Sequence, residues 1–597
     1  MKKIIMLLQE KIENAFAECG YDKKYGKVII SNRPDLCEFQ CDGALSAAKE
    51  YKKAPFIIAN EVVEKCKDSR EFEKIEVVNP GFINITISSE FLANYCNEML
   101  EATKFGCIME QDKTVVIDYG GPNVAKPLHV GHLRPAIIGE SVKRIHKYFE
   151  NKTIGDVHLG DWGLQMGLVI EELEYRHPDW PYFNENFDGE YPAEAPFTVS
   201  DLEEIYPCAS AKTKTNENST EEEIAVANEF KEKARQYTHF LQQHKKGYYD
   251  LWKKIVEISV KDLKENYKKL DVDFDLWLGE SDAQEYVEPM IKKMKDLGII
   301  YESEGAMVVD VKEPEDTIEI NPCMVLKSDG ASGYQTTDLA TIMQREKDFS
   351  PNEIIYVVDK RQDLHFIQVF RCARRAKLVP EDTKLTFLGF GTMNGKDGRP
   401  FKTRDGGVMR LQSLIAEVNQ KILDRMQETK EFSDEEAKQI SEIVGLASLK
   451  YADLSNQISK DYIFDVDKFT SIEGNTGPYI LYTIVRINSI LKKFYENNEE
   501  IKERKILNSN EDIEKKLQIA VSKCNQVLES AYVENAPSVL CSYLYELANT
   551  FNTFYQKVKI LQGDKERLNS NIALLTLIKN IFETGVNLLG FSVPDKM

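Results

Sequence analysis

Two histidines three residues apart, His129 and His132, flank Val130-Gly131 in TVVIDYGGPNVAKPLHVGHLRPAIIGESVKR, Thr114 to Arg144. On a helix, that spacing puts both imidazoles on one face, where they can reach the same ligand. Gly131 between them lets a nucleotide come close to the backbone. The β-branched run Thr114 to Ile117 reads as a buried strand that stops at Asp118. A Gly/Pro-rich loop follows, and HVGH opens a helical pattern. Strand, glycine loop and helix start are a common way to present backbone N–H groups and a positive helix end to a phosphate.

A second constellation runs from Phe390 to Arg410, FGTMNGKDGRPFKTRDGGVMR. Lys396, Arg399, Lys402, Arg404 and Arg410 lie there among five glycines. A basic loop with glycine hinges can close over a polyphosphate and stabilise the charge that develops as pyrophosphate leaves. Asn394-Gly395 and Asp397-Gly398 are also turn dipeptides, so a solvated hairpin is the alternative. The HVGH segment tips the choice to phosphate binding.

Placing two such segments together needs a large framework. At 597 residues the chain exceeds one core, and about three or four domains are expected. Hydrophobic residues at 42% and charged residues at 29% are ordinary for a soluble globular protein. The N-terminal MKKIIMLLQEKIENAF is too short in its apolar part for a signal peptide, and Ile5, Leu8, Ile12 and Phe16 mark a helix face instead. No window approaches a membrane span. Eleven cysteines are scattered, only Cys37 and Cys41 lie close, and no Cys/His set has zinc spacing, which favours reduced cytoplasmic thiols. The net charge of −21 argues mildly against a nucleic-acid partner, but a local basic stripe is all that a phosphate backbone requires.

Residues 1–110 read as a small α+β unit ending in a strand–turn–strand around Asn79-Pro80-Gly81. From Thr114 strands alternate with helices, with further strands expected at Thr153 to Leu159, Ala306 to Val311, Ile354 to Val358 and Leu385 to Phe390. That is the pattern of a doubly wound parallel sheet over 111–430, so the whole is multidomain α/β. Between about 171 and 275 a polar, mostly helical insertion interrupts it. Residues 431–597 are expected to form an all-α bundle, with Leu574, Ile578, Ile581, Gly585 and Leu588 on one face of the last helix.

HVGH followed far downstream by FKTRDGG resembles the HIGH and KMSKS pair of class I aminoacyl-tRNA synthetases. IDYGGPNVAKPLHVGHLRPAIIGE is similar to the arginyl form of the first motif. HLGDWGLQMG (158–167), VLKSDGASGYQTTDLA (325–340), VVDKRQDLHFIQVF (357–370), SKDYIFDVDKFTSIEGNTGPYILYTIVRI (459–487), the C-terminal GVNLLGFSVPDKM, and RPDLCEFQCDGAL with NPGFINITI near the N-terminus resemble other segments of that family. The resemblance covers essentially the whole chain outside the insertion. It implies a Rossmann-type catalytic domain between an N-terminal tRNA-contacting domain and a helical anticodon-binding domain.

The activity so implied is arginine–tRNA ligation in the cytoplasm. ATP, with Mg²⁺ at its phosphates, activates L-arginine to arginyl-adenylate, and the arginyl group passes to the terminal adenosine of tRNA(Arg). His129, His132 and Gly131 would bind ATP, together with Lys402 and Arg404. The second lysine of KMSKS is replaced in FKTRDGG, and Lys126, just before HVGH, stands where the family compensates with a lysine. The five donors of a guanidinium call for planar carboxylates. By resemblance Asp118, Asp338 and Tyr334 would bind that head, and Asn123 and Gln362 the amino-acid backbone or nearby polar atoms. Taken singly, a strand-end turn for Asp118, a helix N-cap for Asp338 and core packing for Tyr334 are equally good readings.

Tyr479, Tyr482, Arg486, Tyr543 and Tyr555 are candidate RNA contacts, although aromatics at helical spacing usually pack in a core. The insertion reads as connective rather than editing, because a site built for a charged, many-donor group already rejects competitors. A monomer is expected, with no membrane partner. The family also implies that tRNA is needed for the first step. Rivals are a class I synthetase for lysine or glutamate, a small-molecule nucleotidyltransferase, and a non-catalytic RNA-binding paralogue. Asp118 with Asp338 opposes glutamate, about 160 C-terminal helical residues oppose the nucleotidyltransferase, and intact His129, His132 and Lys402 oppose the paralogue.

Overall fold

Val115, Val116 and Ile117 are fully buried, as their β-branched run requires, and the larger of two compact units is built around them. The computed structural model describes the chain apart from residues 110–111, 217–218, 329, 400–408, 430 and 498–503. The larger unit spans 110–470 together with Leu588–Phe591. In chain order it holds β1 (Thr114–Asp118), α1 (Leu133–Tyr148), β2 (Lys152–Asp156), α2 (Leu164–Arg176), α3 (Val199–Lys212), α4 (Glu221–Gln242), α5 (Lys246–Lys269) and α6 (Gln284–Asp296). Then come β3 (Ile300–Ser303), β4 (Ala306–Val309), β5 (Cys323–Leu326), α7 (Tyr334–Phe349), β6 (Glu353–Asp359), α8 (Asp363–Arg375), β7 (Lys384–Phe390), α9 (Leu411–Thr429) and α10 (Asp434–Leu454).

The sheet runs β7-β6-β1-β2 with every pair parallel, and Asp118 sits level with Tyr356 and Asp156. From β1 the chain winds to one side and from β6 to the other, so the switch point lies between them. Ligands of doubly wound folds bind beyond the carboxyl ends of the strands at such a point. Residues 156–159 gain a further parallel neighbour, with Asp156 opposite Leu276 and Leu159 opposite Gly279. The strand expected at Ala306 to Val311 is the one exception to the anticipated sheet. It forms β4 in a separate antiparallel sheet with β3 and β5. The reason is local: Glu304 and Gly305, both at positive φ, make a two-residue hairpin turn that returns the chain on itself.

The insertion is mostly helical, and two of its helices start on capping boxes, Thr198 with Asp201 for α3 and Thr220 with Glu223 for α4. Gly167 of α2 brings that helix against Ala234 of α4 so closely that a side chain there would meet the Ala234 carbonyl. Glu172 of α2 pairs with Arg176 and with Lys212 of α3.

The other unit joins 1–109 to 471–587 and 592–597. A four-stranded sheet (Ile29–Ile30, Phe39–Cys41, Phe82–Ile87, Phe72–Val78) and its helices pack on the C-terminal helices. Asn97 and Ile506 exchange two hydrogen bonds (2.7 and 2.8 Å), and Lys515 bridges Glu38 and Glu73. On the last helix Leu574, Ile578, Ile581 and Leu588 are all buried, as the spacing requires, and Gly585 faces Leu544. Tyr543 is core, whereas Arg486 lies over the Tyr482 and Tyr555 rings at 4.7 and 4.9 Å, and the Tyr479 hydroxyl bonds Asn549.

Candidate active site

HVGH is not yet α-helix. Val130–His132 make one 3₁₀ turn ahead of α1, with His129 as its cap. The His129 Nδ1 accepts the Gly131 N–H and the His132 Nδ1 accepts the His129 N–H, both at 3.1 Å. An Nδ1 that accepts must carry its proton on Nε2, so each ring keeps one N–H to donate. The rings lie against each other at 3.9 Å. Burial lowers both pKa values, His132 to about 3 with His129 adding to the effect, and Lys126 also opposes protonation of each. Both imidazoles are therefore neutral donors at neutral pH.

The backbone N–H groups expected to face a phosphate here are already used. Val130 donates to Met409, Gly131 and His129 donate to the imidazoles, and His132 donates to the His129 carbonyl. Donation falls to the side chains. Gly131 makes room for the His129 ring, which a Cβ would meet at 2.8 Å.

Two flanking segments are tied to this turn. His129 bridges to Arg410, and Leu411 donates to Leu128, so the chain leaving the basic loop is hydrogen-bonded to the HVGH segment. Arg134, buried in the first turn of α1, donates to the carbonyls of Gly391, Ile458 and Lys460 and pairs with the buried Asp453 at 2.9 Å. It thereby fixes the base from which the basic loop departs. Lys402 and Arg404 lie outside the described residues. Lys126 is half-buried, its ammonium 4.0 Å above the Tyr206 ring of α3.

A second group of side chains, after β2 and on α7 and α8, is acidic. Tyr334 and Asp338, one turn apart on α7, share a face; Tyr334 is 77% exposed, and the Asp338 carboxylate meets His365 Nε2 at 2.5 Å. The cap of α7 is Gly333, so Asp338 is no N-cap and Tyr334 is no core residue. Glu280 follows the segment that runs beside Leu159, and its pKa is pushed up to about 7 by burial, with Asp161 and Asp338 raising it further against His158. Asp161, held by the Ser281 N–H and hydroxyl, is pushed up to about 6, again mainly by burial. Tyr334 has Glu280 and Tyr206 as electrostatic neighbours. Carboxylates that raise one another's pKa in this way favour a cation beside them.

Asp118 already has a cationic partner in the protein. It is 7% exposed, and its carboxylate accepts from Arg345, which also donates to Asp156, both at 2.7 Å. Burial raises its pKa and Arg345 opposes that. Asn123 is half-buried against Gly160, and Gln362 is exposed just before α8. The nearby Gln368 is occupied by Asn321 and Gln335. Glu280, Asp161, His158, His365 and Arg345 are further charged or titratable neighbours of these positions that the motif reading does not single out. HLGDWGLQMG and DLHFIQVF contained three of them, but nothing in Leu278-Gly279-Glu280-Ser281 marks Glu280.

Three family models match the chain: the "tRNA synthetases class I (R), catalytic domain" at 96–466, the "DALR anticodon binding domain" at 480–597, and the "Arginyl tRNA synthetase N terminal domain" at 6–87. The arginine–tRNA ligase of Agathobacter rectalis is 54% identical, and that of Alkaliphilus oremlandii 52%, each match covering 100% of both chains. The arginyl-tRNA synthetase structure from Plasmodium falciparum superposes with a TM-score of 0.81 at 24% identity, covering 100% of both chains. That from Thermus thermophilus gives 0.76 at 19%, covering 99% of this chain and 100% of its own.

Proposed function

The chain belongs to the arginyl-tRNA synthetase family of class I, and from that premise we propose which of its residues carry each part of the reaction. The activity is that of an arginine–tRNA ligase, which forms arginyl-adenylate and passes the arginyl group to tRNA. Lysine or glutamate specificity and a non-catalytic role are not favoured.

In the first step a carboxylate oxygen of arginine attacks the α-phosphorus of ATP and pyrophosphate leaves. The substrate is itself the nucleophile, so the protein supplies position and charge. The Nε2–H groups of His129 and His132 donate to the phosphates as negative charge builds, with Lys126 beside them and Lys402 and Arg404 brought by the basic loop. Being neutral, the imidazoles give up no proton. Glu280 and Asp338 receive the guanidinium, with His365 orienting Asp338 and Tyr334 covering the head. Asn123 and Gln362 hold the amino-acid backbone. Asp118 acts through Arg345, which it holds at the strand ends. In the second step a ribose hydroxyl of the terminal adenosine of tRNA(Arg) attacks the arginyl carbonyl and AMP leaves.

Among the described residues no group of three His, Cys, Asp or Glu side chains could hold a metal ion. Mg²⁺ is commonly held through substrate phosphates with few protein ligands, and the ion is assigned to ATP as part of that substrate. The proposed setting is the cytoplasm, and the proposed working form a monomer; no described helix is long and apolar enough to cross a membrane.

The observation that carries this division is the pairing of two neutral donors at HVGH with a separate group of carboxylates, Glu280, Asp161 and Asp338, of which Asp161 and Asp338 each raise the pKa of Glu280. Amino-acid-dependent ATP–pyrophosphate exchange tests it. Exchange should require arginine and should appear only when tRNA(Arg) is added, because tRNA completes the site by induced fit. Exchange driven by lysine or glutamate would overturn the pocket assignment. Exchange with arginine in RNA-free protein would overturn the coupling alone.

A further inference from the structure

The insertion, expected to be connective, reaches the phosphate side of the site. The first helix of the insertion, α3, brings Tyr206 under the Lys126 ammonium at 4.0 Å, and one turn earlier its Glu203 pairs with Arg410 at 2.9 Å. Arg410 is the residue bridged to His129. Pro207 has no N–H, so the ordinary helical bond to the Glu203 carbonyl is missing at this point of α3.

A second insertion helix, α5, works on the same loop. The buried Ser259 accepts the N–H of Ala125, a non-glycine residue at φ 58°, and Asn266 accepts from Gln412 just past the basic loop. Lys126, Leu202, Glu203 and Ser259 line a cavity of about 10 Å³, room for no more than one water. The loop that carries Lys126 is thus packed between two insertion helices.

An aromatic face attracts an ammonium without neutralising it. A carboxylate in the same place would cancel the charge that the triphosphate needs. We propose that Tyr206 is a positioning residue of the adenylation step, holding Lys126 beside His129 with its full charge available to ATP. The inference rests on Lys126 as a phosphate ligand, and the test separates the two.

The measurement is tRNA-supported, arginine-dependent pyrophosphate exchange, with ATP kcat and KM determined for four variants. Tyr206→Leu keeps bulk but loses the π face, and should lower kcat/KM for ATP by about 3- to 30-fold. Tyr206→Phe keeps the face and should recover most of that loss. In the Lys126→Ala background, Tyr206→Leu should cost less than about twofold, because the residue it acts through is gone. An equal loss in both backgrounds would overturn the proposal, and so would a Phe variant as poor as Leu or a Leu variant as good as wild type. A Lys126→Ala enzyme with normal ATP kinetics would overturn the phosphate role of Lys126 itself. Thermal unfolding of each variant guards against a folding defect, and if Leu destabilises the insertion, Tyr206→Met replaces it under the same criteria.

Discussion

His129 and His132 hold each other in place within four residues of chain, whereas Glu280, Asp338, Asp161 and His365 meet only because four distant segments converge. The first region is nearly self-sufficient. Each ring caps a backbone N–H, each is neutral, and the shape of the turn decides which nitrogen accepts and which keeps its proton. The second region is held by the fold against its own electrostatics, since burial opposes ionisation of Glu280 and Asp161. A neutral donor pair serves charge that appears only during reaction. An acidic cluster is poised for a charge that its ligand already carries.

The largest expected effect breaks the first region. His132→Ala removes one N–H donor and the acceptor that fixes the His129 backbone. The adenylation rate, read by pyrophosphate exchange, should fall on the order of 10²–10³-fold, as for loss of one preorganised donor. The arginine KM should hardly move. Near-normal exchange would dissolve the contrast, because the turn would then be mere structure.

A smaller effect should follow Glu280→Gln, which keeps shape and removes charge. The arginine KM should rise by about 10- to 100-fold, the worth of a hydrogen bond between charged groups, with the ATP KM within about twofold. The pH profile sharpens this. Binding a guanidinium needs the ionised carboxylate, and Glu280 without ligand has its pKa near 7. Arginine affinity of the wild type should therefore weaken as pH falls from about 8 to 6, by at most tenfold per pH unit below the pKa. In Glu280→Gln the slope should flatten; a slope that persists would assign the titration to another group.

The smallest effect separates two glutamines. Gln362→Ala should raise the arginine KM by about 2- to 10-fold, the worth of one neutral hydrogen bond. Gln368→Ala, whose partners are Asn321 and Gln335, should leave that KM alone and lower the unfolding midpoint slightly. The reverse pattern would exchange their roles.

Much of this was legible in the chain. β1, β6 and β7, the helical insertion and the apolar face of the last helix all follow from local periodicity and end signals, because burial imposes the same spacing wherever an element sits. HVGH could be found for the same reason, since its hydrogen bonds span two or three residues. The sheet of Ala306–Val309 could not, because an apolar run specifies a strand but not its partner. The pairing of Asp118 with Arg345, 227 positions away, likewise has no mark in the local sequence. Glu280 and Tyr206 carried no local mark at all, and their meaning lies in what burial and the converging segments place beside them. Residue types and short-range spacing, acting through backbone geometry, determined the elements and the phosphate-side histidines. Which carboxylates are brought together where burial opposes their charge, and which are paired with a cation, only the tertiary structure decided, because desolvation and Coulomb energy depend on neighbours that the order of the chain does not reveal.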